Sequence, residues 1–184
     1  MSERGWTQGV RRSAAKDRIL AIAGELFARQ GPDASMSDIA AAVGCSRATL
    51  YRHFDGRTAL QLAYVEQVAL TVGAAVANRT CDLSDPADRL TEAIVFALAA
   101  VRDDPALSAW FSPAGAGSAS ELALSSSVIE TLARTFVGDD SPSGVAAARW
   151  IVRVIVSLLV VPGGPDERAT IERFVTPAVL ASFA

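Results

Sequence analysis

Residues 37–54, SDIAAAVGCSRATLYRHF, constrain the fold more than any other part of this sequence. They predict a short helix, a tight turn at Gly44 and a second short helix, because glycine enters left-handed backbone space at little cost. Two helices joined by such a turn form a helix-turn-helix, whose second helix enters the major groove of DNA. The second helix here carries Arg47, Thr49, Tyr51 and Arg52. DNA binding is therefore the first function to consider.

Capping residues around this segment predict a three-helix head. A helix is expected from Ser13, with apolar residues spaced at a period of 3.6, and Gly31 and Pro32 end it. Ser35 and Ser46 are the expected N-caps of the two short helices. Asp38 is placed as in a capping box, and Leu50 and Phe54 are expected to face inward. Residues 1–12 are expected to form a disordered arm. Asp55 is expected to cap a long helix from about Gly56 to Asn78.

The remaining chain also predicts helices. Asp85-Pro86 and Asp104-Pro105 each read as a cap followed by proline at the first helical position, starting helices over 86–102 and 105–111. Further on we expect a flexible loop at 112–118 and a helix over 119–137. Another helix is expected from 142 or 143 to 161, and a last one from near 165, kinked or ended before Pro177. The expected fold is all-α, with about nine helices in a head (1–55) and a helical body (56–184).

Charge is unevenly divided along the chain. Residues 1–60 hold nine Arg or Lys against six Asp or Glu, whereas residues 61–184 hold eight against fourteen. A basic head on an acidic body fits a DNA-binding module attached to a body with another role. Ordinary scatter explains such a difference equally well.

Other signals place the chain in the cytoplasm, away from a membrane. Cys45 and Cys81 form no metal-ligand spacing, and no apolar segment of a secretory signal is present near the N-terminus. The longest apolar run, residues 154–161, is much shorter than the roughly 20 residues of a membrane span, so it predicts a buried helix.

The motifs around the turn resemble the N-terminal domain of TetR-type transcriptional regulators. The resemblance rests on FARQG, then Ser35-x-x-Asp38-Ile39-Ala40, Val43-Gly44-Cys45-Ser46, Thr49-Leu50-Tyr51-Arg52-His53-Phe54, Arg57 and Leu60, over roughly residues 13–62. There are three small departures: Cys45 stands where Val is usual, Arg57 stands where Lys is usual, and the segment 31–39 is one residue short.

The resemblance implies a homodimer with a helical ligand-binding and dimerisation domain. Its last two helices would pair with those of the partner subunit in a four-helix bundle. The implied activity is repression at a palindromic DNA operator, relieved by a small-molecule effector. The apolar surface of the helix near 145–159 independently favours burial against a second subunit. A two-fold dimer would place two recognition helices about 34–36 Å apart.

Eight residues are candidate DNA contacts. The hydroxyls of Thr49 and Tyr51 suit phosphate oxygens, although Tyr51 packing against the preceding helix is the alternative. Arg47 and Arg52 suit guanine or phosphate, and the resemblance makes His53 a backbone contact. Arg11 and Arg12 either track DNA or have no role. The predicted DNA-binding residues are Ser35, Ser37, Arg47, Thr49, Tyr51, Arg52, His53 and Arg57.

The body holds candidates for effector binding. They are Phe96, Arg102, Trp110, Phe111, Trp150 and Arg153. Core packing is the alternative for the aromatic residues. For the arginines, including Arg149, the alternative is a structural carboxylate or solvent.

Three classes of function compete. A ligand-responsive transcriptional regulator fits the motif, and the resemblance to the TetR family implies a helix-turn-helix repressor. An enzyme is poorly supported: there is no Ser-His-acid pattern, phosphate loop or zinc spacing, and His53 is the only histidine. We expect no catalytic residue, metal or cofactor. An architectural or partner-controlled DNA-binding protein without a small ligand is the alternative.

Overall fold

The computed structural model describes residues 3–111 and 116–182, with side chains from Arg12 onward. Over these residues the chain is all-α, as expected, and no strand is present. Ten helices are seen: α1 Glu3–Gln30, α2 Met36–Val43, α3 Arg47–Tyr51, α4 Arg57–Thr80, α5 Pro86–Asp103, α6 Pro105–Trp110, α7 Ala116–Ser125, α8 Ser127–Val137, α9 Pro142–Val160 and a composite α10 from Gly164 to Leu180.

Most predicted helix starts are confirmed by their caps. The Ser35 hydroxyl accepts the Asp38 N–H before α2, and Ser46 accepts the Thr49 N–H before α3. Asp85 and Asp104 each accept two backbone N–H groups, with proline next in the helix. These local patterns work because a side-chain oxygen replaces the missing intrahelical acceptor.

Four expectations about helix ends are wrong. The arm expected over 1–12 is helical from Glu3, since no proline between Glu3 and Ser13 ends α1 there. Asp55 does not cap α4, whose N-cap is Gly56 at φ 95°. The loop expected at 112–118 is already helical from Ala116; residues 112–115 lie outside the described part. The single helix expected over 119–137 is interrupted at Ser126, which caps α8.

The last helix changes its winding before Pro177. α10 comprises a 3-10 turn Gly164–Asp166, an α-helical turn Glu167–Thr170, a π-helical turn Ile171–Val175 and a final α-helical turn Thr176–Leu180. Proline donates no N–H and crowds the preceding turn. The wider π turn accommodates it, so the predicted kink takes this form.

One hydrophobic core joins the head to the body. It includes Ile39 and Leu50 of the head and Leu60 of α4, and it extends to α6 and α7. At its centre the Phe27 ring meets the Trp110 ring edge-on, with centroids 4.9 Å apart, and Tyr64 packs beside both. The α1 helix therefore contacts both parts of the molecule.

A second hydrophobic core holds α5, α9 and α10 together. Leu98, Ile151 and Ile171 are buried in it, and Thr91 shares a buried 2.8 Å hydrogen bond with Thr176. Both α4 and α9 are long and apolar enough to cross a membrane by length and composition alone. Each packs against several other helices, which is what the core helix of a helical bundle does.

Candidate nucleic-acid interface

Buried side chains fix the two helices of the motif in place. Leu50 of α3 and Ile39 of α2 are fully buried, and Phe54 closes the same core. Gly44 lies between the helices at φ 75°, and its N–H caps the end of α2. The α1–α2 connection is tied to α4 by Gln61, whose side-chain amide donates to the Pro32 carbonyl at 2.6 Å. The exposed face of α3 is thus held on a rigid base.

Arginine and tyrosine side chains cover the exposed face of α3. Arg47, Tyr51 and Arg52 reach solvent, with 46% of Tyr51 exposed. Within the described residues, neither arginine has an ion pair. This exposure favours a DNA contact by Tyr51 over the alternative, in which Tyr51 packs against the preceding helix. Unpaired arginines and an exposed phenol suit the acceptor groups of DNA.

Thr49 is half-buried beside the cap of α3. The Ser46 and Thr49 hydroxyl oxygens are 2.9 Å apart, and Ser46 also accepts the Thr49 N–H at 3.1 Å. When Ser46 donates its proton to Thr49, the Thr49 hydroxyl is left free to donate to an outside acceptor. The cap and a phosphate contact are therefore compatible.

Ser35 and Ser37 differ in their available protons. The Ser35 hydroxyl donates to the Asp38 carboxylate at 2.6 Å while accepting the Asp38 N–H. Its proton is thus committed, and a phosphate offers only acceptors. Ser37 is exposed in the first turn of α2, where backbone N–H groups are free for an anion.

Arg57 and His53 flank this face. An Arg57 amino group lies 3.4 Å from both the side chain and the carbonyl of Asp33, and both side chains are well exposed. Because this ion pair is exposed to water, Arg57 can leave Asp33 at little cost in free energy. His53 is half-buried directly after α3.

The candidate effector residues do not converge. The two amino groups of Arg102 donate to the Glu167 carboxylate oxygens at 2.7 and 2.8 Å, and one of them also donates to the Leu158 carbonyl. Arg102 therefore joins α5 to α9 and α10. Arg153 is exposed, and Arg149 pairs with Glu130 at 3.0 Å.

The aromatic candidates are also dispersed. Trp110 is fully buried, and its indole N–H has no acceptor in the described part of the chain. Phe111 is half-buried where three apolar clusters meet. Phe96 is half-buried, and 52% of Trp150 is exposed.

Two open grooves lie elsewhere on the body. The larger, about 460 Å³, is formed by α5, α8 and α10 and includes Arg89, Leu90, Phe136, Asp139 and Val179. The second, about 390 Å³, is lined mainly by charged residues. No candidate effector residue lines either one. These lining residues come from distant segments, and no local motif marks them.

The head and the whole chain resemble known regulators. Residues 19–64 match the model of bacterial regulatory proteins of the tetR family. An uncharacterized HTH-type transcriptional regulator of Mycobacterium tuberculosis is 43% identical over 191 residues, covering all of this chain and 95% of the relative.

Solved structures share the complete fold. RolR in complex with resorcinol has a TM-score of 0.70 at 18% identity, covering 94% of this chain and 89% of that one. A TetR regulator from Rhodococcus sp. RHA1 has a TM-score of 0.68 at 19% identity, covering 94% and 98%. The TetR family repressor AlkX from Dietzia sp. has a TM-score of 0.64 at 19% identity, covering 90% and 95%. The motif, the fold and a full-length relative agree: this chain is a member of the TetR family of helix-turn-helix transcriptional regulators.

Proposed function

We propose that this protein is a cytoplasmic, homodimeric repressor that binds a palindromic operator and is released by a small molecule. The observation that carries the proposal is the face of α3, where Arg47, Tyr51 and Arg52 stand exposed on a helix anchored by fully buried Leu50. The family is one of transcriptional regulators rather than enzymes. The division into a head (1–55) and a body (56–184) remains part of this proposal.

In this proposal the side chains of α3 divide between bases and backbone. Arg47 lies in the first turn, where side chains reach base edges, and its guanidinium can donate two bonds to guanine. Thr49, Tyr51 and His53 would contact phosphates, with Arg52 on the same face. Arg57 would exchange Asp33 for a phosphate. Ser37 would contribute through the start of α2, and Ser35 mainly by capping it.

The last two helices offer a surface for the partner subunit. Trp150 of α9 and Phe174 of α10 are large apolar side chains that are 52% and 66% exposed in the single chain. Aromatic residues of this size dominate protein interfaces. Pairing α9 and α10 with their two-fold mates would cover them and set the spacing of the two recognition helices.

The groove between α5, α8 and α10 is the proposed effector site. Its volume of about 460 Å³ lies in the range of small-molecule sites, and Leu90, Phe136 and Val179 provide an apolar floor beside Arg89 and Asp139. α10 also belongs to the proposed dimer surface. An effector that prefers one packing of α5 and α10 would therefore change the spacing between the two heads of the dimer. Such a shift requires a differential affinity for the two states.

A gel-shift assay on the DNA flanking the protein's own gene tests the proposal. Wild-type protein should bind this duplex more tightly than a random duplex, and Tyr51→Ala and Arg47→Gln should lose that preference. Arg79→Gln, which removes the same charge from an exposed position of the body, should retain it. Equal binding of wild-type protein to both duplexes would contradict the proposal.

Thermal unfolding with added compounds tests the effector site. Resorcinol, which is bound in the RolR structure, is a first probe. A compound that binds the folded state at 100 times its Kd stabilises it by about 2.7 kcal/mol. The stabilising compound should release DNA from wild-type protein but not from Leu90→Trp, in which the groove is filled. Release from both variants would place the effector elsewhere.

A further inference from the structure

α1 begins well before the first core residue that is described for it. It begins at Glu3, and among the side chains that are described, from Arg12 onward, the first buried one is Ile19. At about 1.5 Å per residue, residues 3–18 form roughly 24 Å of helix ahead of Ile19, and from Arg12 to Arg18 no described side chain is buried. We call this segment the N-terminal extension.

The extension is basic. Its five basic residues outnumber two acidic ones, Glu3 and Asp17; they are Arg4, Arg11, Arg12, Lys16 and Arg18. The side chains of Arg12, Lys16 and Arg18 are exposed. No ion pair involves them within the part of the chain that is described. These cations are therefore available to an external anion.

The packing of α1 shows where the extension leads. Near its C-terminal end, Phe27 contacts Trp110 of the body. Eleven residues earlier, the Lys16 ammonium group lies 5.6 Å from the centre of the Phe54 ring, just after α3. The helix thus runs from a contact with the body to a contact just after α3, and this places the C-terminal end of the extension beside the helix-turn-helix.

We infer that the N-terminal extension binds the phosphate backbone of duplex DNA flanking the site read by α3; the inference rests on the proposed DNA-binding function. Phosphate is the expected target because long, exposed cationic side chains lack the fixed geometry that base reading requires. Each contact releases a counterion, so the extension adds affinity for any sequence and makes binding more sensitive to salt.

Salt titrations of DNA binding test this inference. Affinity is measured for the flanking duplex and for a random duplex, each reaching about 10 bp past the half-sites. Each phosphate contact contributes about 0.9 to the slope of log K against log salt. In a dimer, Arg12→Gln/Lys16→Gln should lower this slope by about 2 to 4 and weaken binding to both duplexes about tenfold. The preference between the duplexes should stay unchanged.

Three further variants separate DNA contact from damage to the fold. Arg12→Lys/Lys16→Arg keeps the charge and should keep the wild-type slope, as should Arg79→Gln, which changes an exposed arginine of the body. Asp17→Asn removes an exposed acidic group from the extension and should tighten binding to both duplexes, a gain that misfolding cannot produce. Hydroxyl-radical footprints should lose their outermost protected positions in Arg12→Gln/Lys16→Gln.

The outcomes distinguish this inference from the proposed function. The role of the extension is overturned if Arg12→Gln/Lys16→Gln keeps the wild-type salt slope, or if Asp17→Asn does not bind DNA more tightly. In either case the preference of the protein for the flanking duplex would still support the proposed function. Equal wild-type affinity for both duplexes overturns the proposed regulator. The slopes on the random duplex then still decide whether the extension contacts phosphate.

Discussion

The ion pair between Arg102 and Glu167 should stabilise the body measurably. Arg102 donates to both Glu167 carboxylate oxygens, and the Gly163 N–H donates to one of them at 2.9 Å. Only 14% of the Glu167 side chain and 35% of the Arg102 side chain are exposed. Glu167→Gln keeps the shape of the side chain, removes its charge and leaves Arg102 with a weaker acceptor.

The size of the loss follows from the partial burial. Removing one partner of a fully buried pair costs about 3–5 kcal/mol, whereas an exposed pair contributes about 0–1 kcal/mol. Water reaches a third of Arg102, so we expect Glu167→Gln to lower the free energy of unfolding by about 1–3 kcal/mol. For a chain of this size, each kcal/mol corresponds to a Tm shift of about 2–4 °C.

Acidic pH should erase this difference. The hydrogen bond from Arg102 holds the pKa of Glu167 below its ordinary range in the folded protein. A lowered folded-state pKa stabilises the protein above the unfolded-state pKa of about 4.3, and this contribution is lost as pH falls through the folded-state value. The wild-type advantage over Glu167→Gln should therefore be full at pH 7 and shrink below about pH 4.

Urea unfolding at fixed protein concentration measures both effects. Glu172→Gln is the matched control, because Glu172 pairs with Arg168 at 3.3 Å and both side chains are half exposed. It should cost less than about 0.5 kcal/mol. Equal losses in Glu167→Gln and Glu172→Gln at pH 7 would refute the reasoning, and so would a Glu167→Gln deficit that persists undiminished at low pH.

Four further substitutions test packing, backbone and assembly. Gly44→Ala places a side chain at φ 75° and should cost about 1–2 kcal/mol in thermal unfolding and weaken operator binding; an unchanged Tm would contradict the strain. Gly24→Ala brings a Cβ to 2.6 Å from the buried Tyr64 ring, so it should destabilise the fold by about 1–3 kcal/mol despite the better helix propensity of alanine. In Gly73→Ala the new Cβ meets only a flexible leucine methyl group at 3.1 Å, so this substitution should leave the stability nearly unchanged. Equal effects of the two substitutions on stability would refute this distinction. Trp150→Glu should yield monomers in sedimentation with the helix content retained, and a stable dimer would place the interface elsewhere.

Short-range signals made most helix starts predictable. Ser35, Ser46 and Asp85 cap their own helices through groups two or three residues away, so the sequence pattern already contains the interaction. Ser126 shows the limit of such reasoning. Its hydroxyl donates to Glu66 on α4, 60 residues away, and the cap interrupts an otherwise continuous apolar pattern.

The same contrast holds for the sites. The face of α3 follows from one short motif, so its exposed side chains could be named from the sequence. The partner of Arg102 lies 65 residues further along the chain, and an arginine alone does not distinguish a ligand contact from a structural pair. The groove combines segments near residues 86–90, 136–139 and 179–180, which only the packed helices bring together.

The aromatic contact of Phe27, Tyr64 and Trp110 limits how freely this head can be exchanged. A hybrid regulator that joins the first 55 residues to another body would leave Phe27 facing a foreign surface. The other two rings of the cluster, those of Tyr64 and Trp110, would be missing. A functional graft must carry the matching positions of α4 and α6 with it. In the proposed regulator, specificity for DNA and response to an effector would be inherited together, because this cluster of rings belongs to both the head and the body.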